Sequence, residues 1–214
     1  MNKFTIIIPT MWLCDHIYDM IKIYDNSNLV GEIIIIDNNP SNKREFISTK
    51  TKIVSKGSNI YVNPAWNWGV SLSQYENILI ANDDVFISEI EFNNLIEVVS
   101  NNLTENIIIA PSPNCFNKQS NTEIKIIEKS KEFTYGFGTY MFLKRNSYTI
   151  IPNDILIFYG DNIQHDTNKP YLFEGVNIMT KMSVTVHHDR NLHALASLDH
   201  DKIVKYKFNN LKKI

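Results

Sequence analysis

Cysteine is nearly missing from this chain of 214 residues: Cys14 and Cys115 are its only two, one near the start and one mid-chain. They form no CxxC spacing and no disulfide framework, which excludes a disulfide-stapled module and fits a reducing, cytoplasmic setting. Long apolar stretches are missing as well. Runs such as "FTIII" and "EIIIID" fall far short of the roughly 20 residues that a membrane-spanning helix needs, so no transmembrane segment is expected. The first residues carry one lysine and an isoleucine run that halts at Pro9, with no small-residue cleavage site, so no secretory signal is expected either. An excess of one charge is also lacking. The net charge is -2, which leaves no bulk attraction to polyanions, and nucleic acid is not an expected partner. Glycine is scarce, at seven residues, while isoleucine and asparagine abound, a pattern read as a coding bias towards A and T.

What is present is an ordinary soluble composition, 43% hydrophobic and 21% charged, in a chain long enough for one well-filled core. One domain over residues 1–190 is expected, with 191–214, more polar, as a helical tail packing on it. Apolar runs rich in Ile and Val recur at Phe4 to Ile8, Glu32 to Ile36, Ile78 to Ala81 and Ile107 to Ala110. Each is short and bounded by turn formers, as strands buried on both faces are. Between them, Leu13, Ile17, Met20 or Ile21 and Tyr24 follow helical spacing, as do Phe92, Leu95, Ile96 and Val99 after a possible cap at Ser88. Strand alternating with helix predicts an α/β fold with a mostly parallel sheet between helices. The weaker runs at Glu123 to Ile127, Thr139 to Leu143 and Ser183 to Val186 can extend it or add a small antiparallel part.

In an open α/β sheet, ligands bind beyond the carboxyl ends of the strands. Three polar strand tips meet that condition: "PTMW" (Pro9, Thr10, Met11, Trp12), "DNNP" from Asp37, and "NDDV" from Asn82. Asp37 can accept hydrogen bonds from a pyrimidine imide or a ribose, and equally can cap a turn. Trp12 can stack on a base or pack under the first helix. Asp83 and Asp84, side by side after an apolar strand, repel each other and lose solvation. A divalent cation on these hard oxygens removes that cost and can also grip a diphosphate; the alternative is a solvated turn with one acid capping the helix after Ser88.

The order "TIIIPT", "EIIIIDNN", "NPAWNWGV", "ILIANDDV" resembles the GT-A fold glycosyltransferases, in particular the family 2-like nucleotide-sugar enzymes, over residues 4 to 188. The resemblance implies a single-domain, Rossmann-like GT-A fold. It also implies Mn2+ or Mg2+ held at the strand-end acidic motif, here Asn82-Asp83-Asp84, with Asp84 at the position that usually touches the metal. In "NPAWNWGV", Asn63, Asn67 and Gly69 match a helix that lines the nucleotide pocket, although Trp66 and Val70 also pack at i and i+4 and Pro64 suits a first turn. "YGFGTYMFLKR" is similar to the family's sugar-site strand, where Gly136 and Gly138 let backbone approach donor sugar or acceptor, unless they mark only a bend. "FYGDNIQ" matches the motif that supplies the catalytic base of inverting members, at Asp161, a residue that also suits a helix cap. "SVTVHHDR" offers His187 and His188 to the metal or diphosphate. If the strand alternates only one faces inward, with His187 favoured; His193 and His200 are read as surface residues.

The activity implied is transfer of a sugar from a nucleotide-diphosphate donor, UDP favoured through Asp37, to a hydroxyl of a glycan or other acceptor, with inversion. Two other readings compete. A sugar-nucleotide nucleotidyltransferase shares the sheet and Mg2+ but usually carries a glycine-rich basic loop after the first strand, and "PTMWLCDH" has neither glycine nor Lys or Arg. A binding module of the same fold without catalysis draws its support from Asn82 in place of the first acid.

Overall fold

The computed structural model describes residues 3–42, 48–117, 123–128, 132–180 and 190–204. The isoleucine-rich runs form the centre of an eight-stranded sheet in the order β3-β2-β1-β4-β8-β6-β9-β7. Its strands are β1 (Phe4–Thr10), β2 (Val30–Asp37), β3 (Thr51–Val54), β4 (Asn77–Ala81), β6 (Ile107–Pro111), β7 (Lys125–Glu128), β8 (Tyr140–Lys144) and β9 (Lys169–Glu174). β5 (Val85–Phe86) and β10 (Met179–Thr180) pair antiparallel as a separate small sheet. β3, β2, β1 and β4 run parallel, β8 runs against both β4 and β6, β9 lies parallel to β6, and β7 closes the edge antiparallel. The expected mostly parallel α/β sheet with an antiparallel addition is what forms.

Strand alternation sorts the side chains into two cores. Phe4, Ile6 and Ile8, with Ile33, Ile35, Leu79 and Phe142, face α1 (His16–Asn26) and α3 (Glu89–Asn102). Ile7, with Ile34, Ile36, Ile78, Ile80 and Leu143, faces α2 (Val62–Leu72), α4 (Gly160–Thr167) and Ile203 of α5 (Arg190–Ile203). α2 lies so close on β1 that a Cβ at Gly69 would sit 2.4 Å from the Ile7 side chain. Among the described residues no helix is long and apolar enough to cross a membrane.

Register places the functional edge. Ile7 lies opposite Ile80 and Thr10 opposite Asp37, so continuing the β1 to β4 step brings Asn82 beside Pro9 and Asp83 beside Thr10. On the other side Ala81 pairs with Tyr140. The antiparallel β8 therefore presents its entrance, Gly136 to Thr139, to the edge where β1 and β4 end, and the Asn82 amide donates to the Thr139 carbonyl at 3.0 Å.

Candidate active site

A cavity of about 560 Å³ opens at this edge. Its wall includes Pro9 from β1, the turn Asn82 to Asp84 after β4, Gly136 and Gly138 before β8, and Asp161 at the start of α4. Seven residues singled out from separate motifs thus share one cavity.

Asp83 is fastened to the tip of β1. The Thr10 hydroxyl donates to its Oδ2 at 2.7 Å while Thr10 Oγ1 accepts the Trp12 amide at 2.8 Å. Burial pushes the Asp83 carboxyl above the ordinary aspartate value, and the Thr10 hydroxyl and the amides of Asp83 and Met11 pull it partly back. Asp84, next in the chain, is half-buried on the same wall. The helix that follows needs neither acid as its cap, which corrects that alternative: Ser88 is the N-cap, its hydroxyl accepting from the Glu91 amide and donating to the Glu91 carboxylate.

Asp83 keeps part of its desolvation cost despite its hydrogen bonds, and with Asp84 next to it on the cavity wall it supplies two hard carboxylates that suit a divalent cation. Among the described residues no third His, Cys, Asp or Glu converges on them. A cation held here would complete its shell with water and diphosphate oxygens, as Mg2+ does readily. His187 and His188 lie outside the described residues.

Asp161 stands in the first turn of α4, where the helix dipole favours an anion, and its Oδ1 accepts the Asn162 amide at 3.0 Å. Burial outweighs these effects and the pull of His165, and holds the carboxyl above its ordinary value of 3.8. The approach depends on Gly138, where a Cβ would lie 2.5 Å from Asp161 Oδ2. Gly136 has φ 79° and its missing Cβ leaves room for the Phe116 ring, so it serves as a bend and as cavity wall at once.

Other expectations need correction. Asn63 and Asn67 do not face the cavity. Asn63 is fully buried and its Nδ2 donates to the carbonyls of Ile155 (3.2 Å) and Phe158 (2.9 Å). Asn67 donates to the Ile151 carbonyl at 2.7 Å and accepts from the Ile151 amide and the Tyr148 hydroxyl. Both Nδ2 groups donate to the 148–158 segment, so the two residues brace chain that lines the pocket and are not themselves part of its wall. Trp12 is 2% exposed, stacked on Tyr18, and its indole N–H donates to Asp37 Oδ1 at 2.9 Å. That is the packing role, with no ring face open to a base. Asp37 Oδ1 also accepts the Asn39 amide at 2.9 Å, the turn geometry of "DNNP", and Asp37 is not part of the cavity wall.

An aromatic wall that no sequence motif marks completes the cavity, formed by Trp66, Phe133, Tyr135, Phe158 and Tyr159. Trp66 was legible only as a packing residue, and Tyr159 stood unassigned beside the "GDN" motif. Tyr159 takes φ 66°, a left-handed conformation rare for such a side chain. His165, one turn beyond Asp161, is 3% exposed, edge-on to Phe133 and Phe137, with Nδ1 2.9 Å from Asp166. Nothing in the sequence marked it.

No family model matches the chain, and no curated protein matches it. Solved structures do. TarS of S. aureus superposes with a TM-score of 0.59 at 11% identity over 96% of this chain. TarS 1–349 in complex with UDP-GlcNAc gives 0.59 at 10% over 96%. GalNAc-T7 with UDP, GalNAc and Mn2+ gives 0.60 at 9% over 92%. The chain spans 40% of TarS, 67% of TarS 1–349 and 48% of GalNAc-T7. The similarity establishes the GT-A fold.

Proposed function

We propose that this chain is a glycosyltransferase that moves a sugar from a nucleotide-diphosphate donor, with UDP favoured, to a hydroxyl of a glycan or other acceptor. The observation that carries the reading is that the acid pair Asp83–Asp84 and Asp161, whose carboxyl burial shifts upward, line one cavity from separate elements of a GT-A fold. Similar folds crystallised with UDP-GlcNAc and with UDP, GalNAc and Mn2+ support it. Buried thiols at Cys14 and Cys115 suit a cytoplasmic setting.

Asp84, with Asp83 next to it in the chain, would hold Mn2+ or Mg2+, which as a Lewis acid would neutralise charge growing on the departing diphosphate. The remaining work falls to the chain. The Thr10 hydroxyl and the β1 tip fix the Asp83 carboxylate. Asp161 accepts the proton of the acceptor hydroxyl, and a carboxylate shifted upward by burial is a stronger base than an ordinary one. The aromatic side chains of the wall offer apolar surface against which a sugar ring can pack. One base acting on the acceptor gives direct displacement and an inverted anomeric centre.

A thermal-shift screen with UDP-, GDP- and dTDP-sugars, each with and without Mn2+, tests the reading when followed by an assay for released nucleotide. Saturation at about a hundredfold over Kd contributes about 2.7 kcal/mol, so a UDP-sugar with Mn2+ should raise Tm by several degrees and be turned over. Binding without turnover would favour a sugar-nucleotide-binding module. A requirement for a sugar phosphate and nucleoside triphosphate would favour a nucleotidyltransferase, and no shift with any sugar nucleotide would overturn the proposal.

A further inference from the structure

The cavity wall next to Asp161 is irregular chain, residues 152–159, and such chain needs partners for its backbone polar groups. Asn63 serves one side, through its side chain and through its own amide, which donates to the Leu156 carbonyl at 2.9 Å. The other side belongs to a residue that no motif marked. Asp199, on α5, is fully buried. Its Oδ1 accepts the amide of Leu156 at 3.0 Å, and its Oδ2 accepts those of Ile157 at 2.9 Å and Phe158 at 3.1 Å. Three successive N–H groups turned on one carboxylate form an anion-binding nest.

Two neighbours strengthen the attachment. Lys202 donates to the Asp154 carbonyl, and His200 Nδ1 lies 2.9 Å from the Tyr159 hydroxyl. α5 thus grips the segment at Asp154, at 156–158 and at Tyr159, immediately before the Gly160–Asp161 turn. A helix that only had to pack would put an apolar side chain at this spot, since a buried carboxylate is costly unless its hydrogen bonds are made. Here the bonds are made, and all three go to the backbone of residues that line or adjoin the cavity.

We infer that Asp199 is a positioning residue: it fixes the 156–158 wall and, through the strained Tyr159 turn, the start of α4 that carries Asp161. Its role in catalysis rests on the function proposed above; its role in holding the wall does not. Asp199 is not part of the cavity wall and acts through the segment it binds.

The test uses the full chain with Asp199→Ala and Asp199→Asn. Amide hydrogen exchange without ligand should accelerate about tenfold or more at residues 156–162 in Asp199→Ala, with the sheet unchanged, because three charge-assisted bonds are lost. Turnover, read as UDP release from the UDP-sugar giving the largest thermal shift, should fall on the order of a hundredfold, since small misplacement of a base is expensive. The Kd for UDP with Mn2+ should stay within about threefold, as the acid pair sits on other elements. Asp199→Asn keeps the shape and one acceptor oxygen and should fall between wild type and Asp199→Ala; it also replaces the alanine variant if that one fails to fold. Unchanged exchange at 156–162 would overturn the inference, and so would faster exchange with undiminished turnover. A wild type that neither binds UDP nor releases it would sink the proposed function alone, leaving the exchange data to decide whether Asp199 holds the wall.

Discussion

Asp161 faces two opposed demands, because the burial that makes it a stronger base also makes its charge costly to the fold. Its folded-state value is raised above the unfolded one, with burial as the largest cause. A group shifted in that direction contributes stability fully present below the unfolded value, and loses it as pH rises through the folded value. At pH 7 the native state therefore carries a penalty. Asp161→Asn removes it, so this variant should melt above wild type at pH 7, and the gap should close as pH approaches 3.8, the ordinary value. Transfer should drop about a hundredfold or more. Melting curves of both proteins across pH, with turnover at each point, check the pair of claims; equal Tm at pH 7 would count against the burial penalty. Asp84→Ala makes a separate prediction. UDP-sugar binding should lose its dependence on Mn2+ in a thermal shift, while the fold, which keeps the Thr10 to Asp83 bond, should melt near wild type.

Close approach between elements decides whether these residues meet at all. The turn before β8 reaches α4 only because Gly138 has no Cβ: one built there would stand 2.5 Å from Asp161 Oδ2 and 2.8 Å from its Cβ. Gly138→Ala should therefore lower turnover at least tenfold, through displacement of the base, while far-UV circular dichroism stays that of wild type. Asn63→Ala acts differently. It strips the buried carbonyls of Ile155 and Phe158 of their donor, which costs about 1–3 kcal/mol, and at roughly 2–4 °C per kcal/mol for a chain of this size the melting temperature should fall by several degrees. How well elements could be foreseen follows from the same physics. β1, β2, β4 and β6 are continuous apolar runs because both faces are buried, so they stood out in the sequence. β3 is half exposed and β9 opens with Lys169-Pro170; neither carries the apolar run of a central strand, and neither was found. In the site, acids at strand tips were legible because strand ends announce themselves. Asn63 and Asp199 serve distant backbone, 92 and 95 residues away for Asn63 and 41 to 43 for Asp199, and no local pattern records such a partner.

At the scale of the whole molecule, the two cores share one sheet, and the described chain is therefore expected to unfold as one cooperative body. Every central strand alternates its side chains between the α1/α3 layer and the α2/α4 layer, so neither layer can melt without exposing the strands that the other covers. Tryptophans stand in both. Trp12, 2% exposed, belongs to the first core and Trp66, 4% exposed, to the second. Trp12→Phe leaves emission from the α2 side, which carries Trp66 and Trp68, whereas replacing those two with Phe leaves emission from the α1 side. In urea, each variant should unfold with a fluorescence midpoint that coincides with its own far-UV midpoint, and with slopes matching the surface exposed by the whole chain. An α2-side signal that moved at lower urea than the circular dichroism would mean that the layer bearing Asn63, α4 and the Asp199 contact opens by itself. The aromatic wall and Asp161 would then belong to a separately melting unit instead of the rigid sheet.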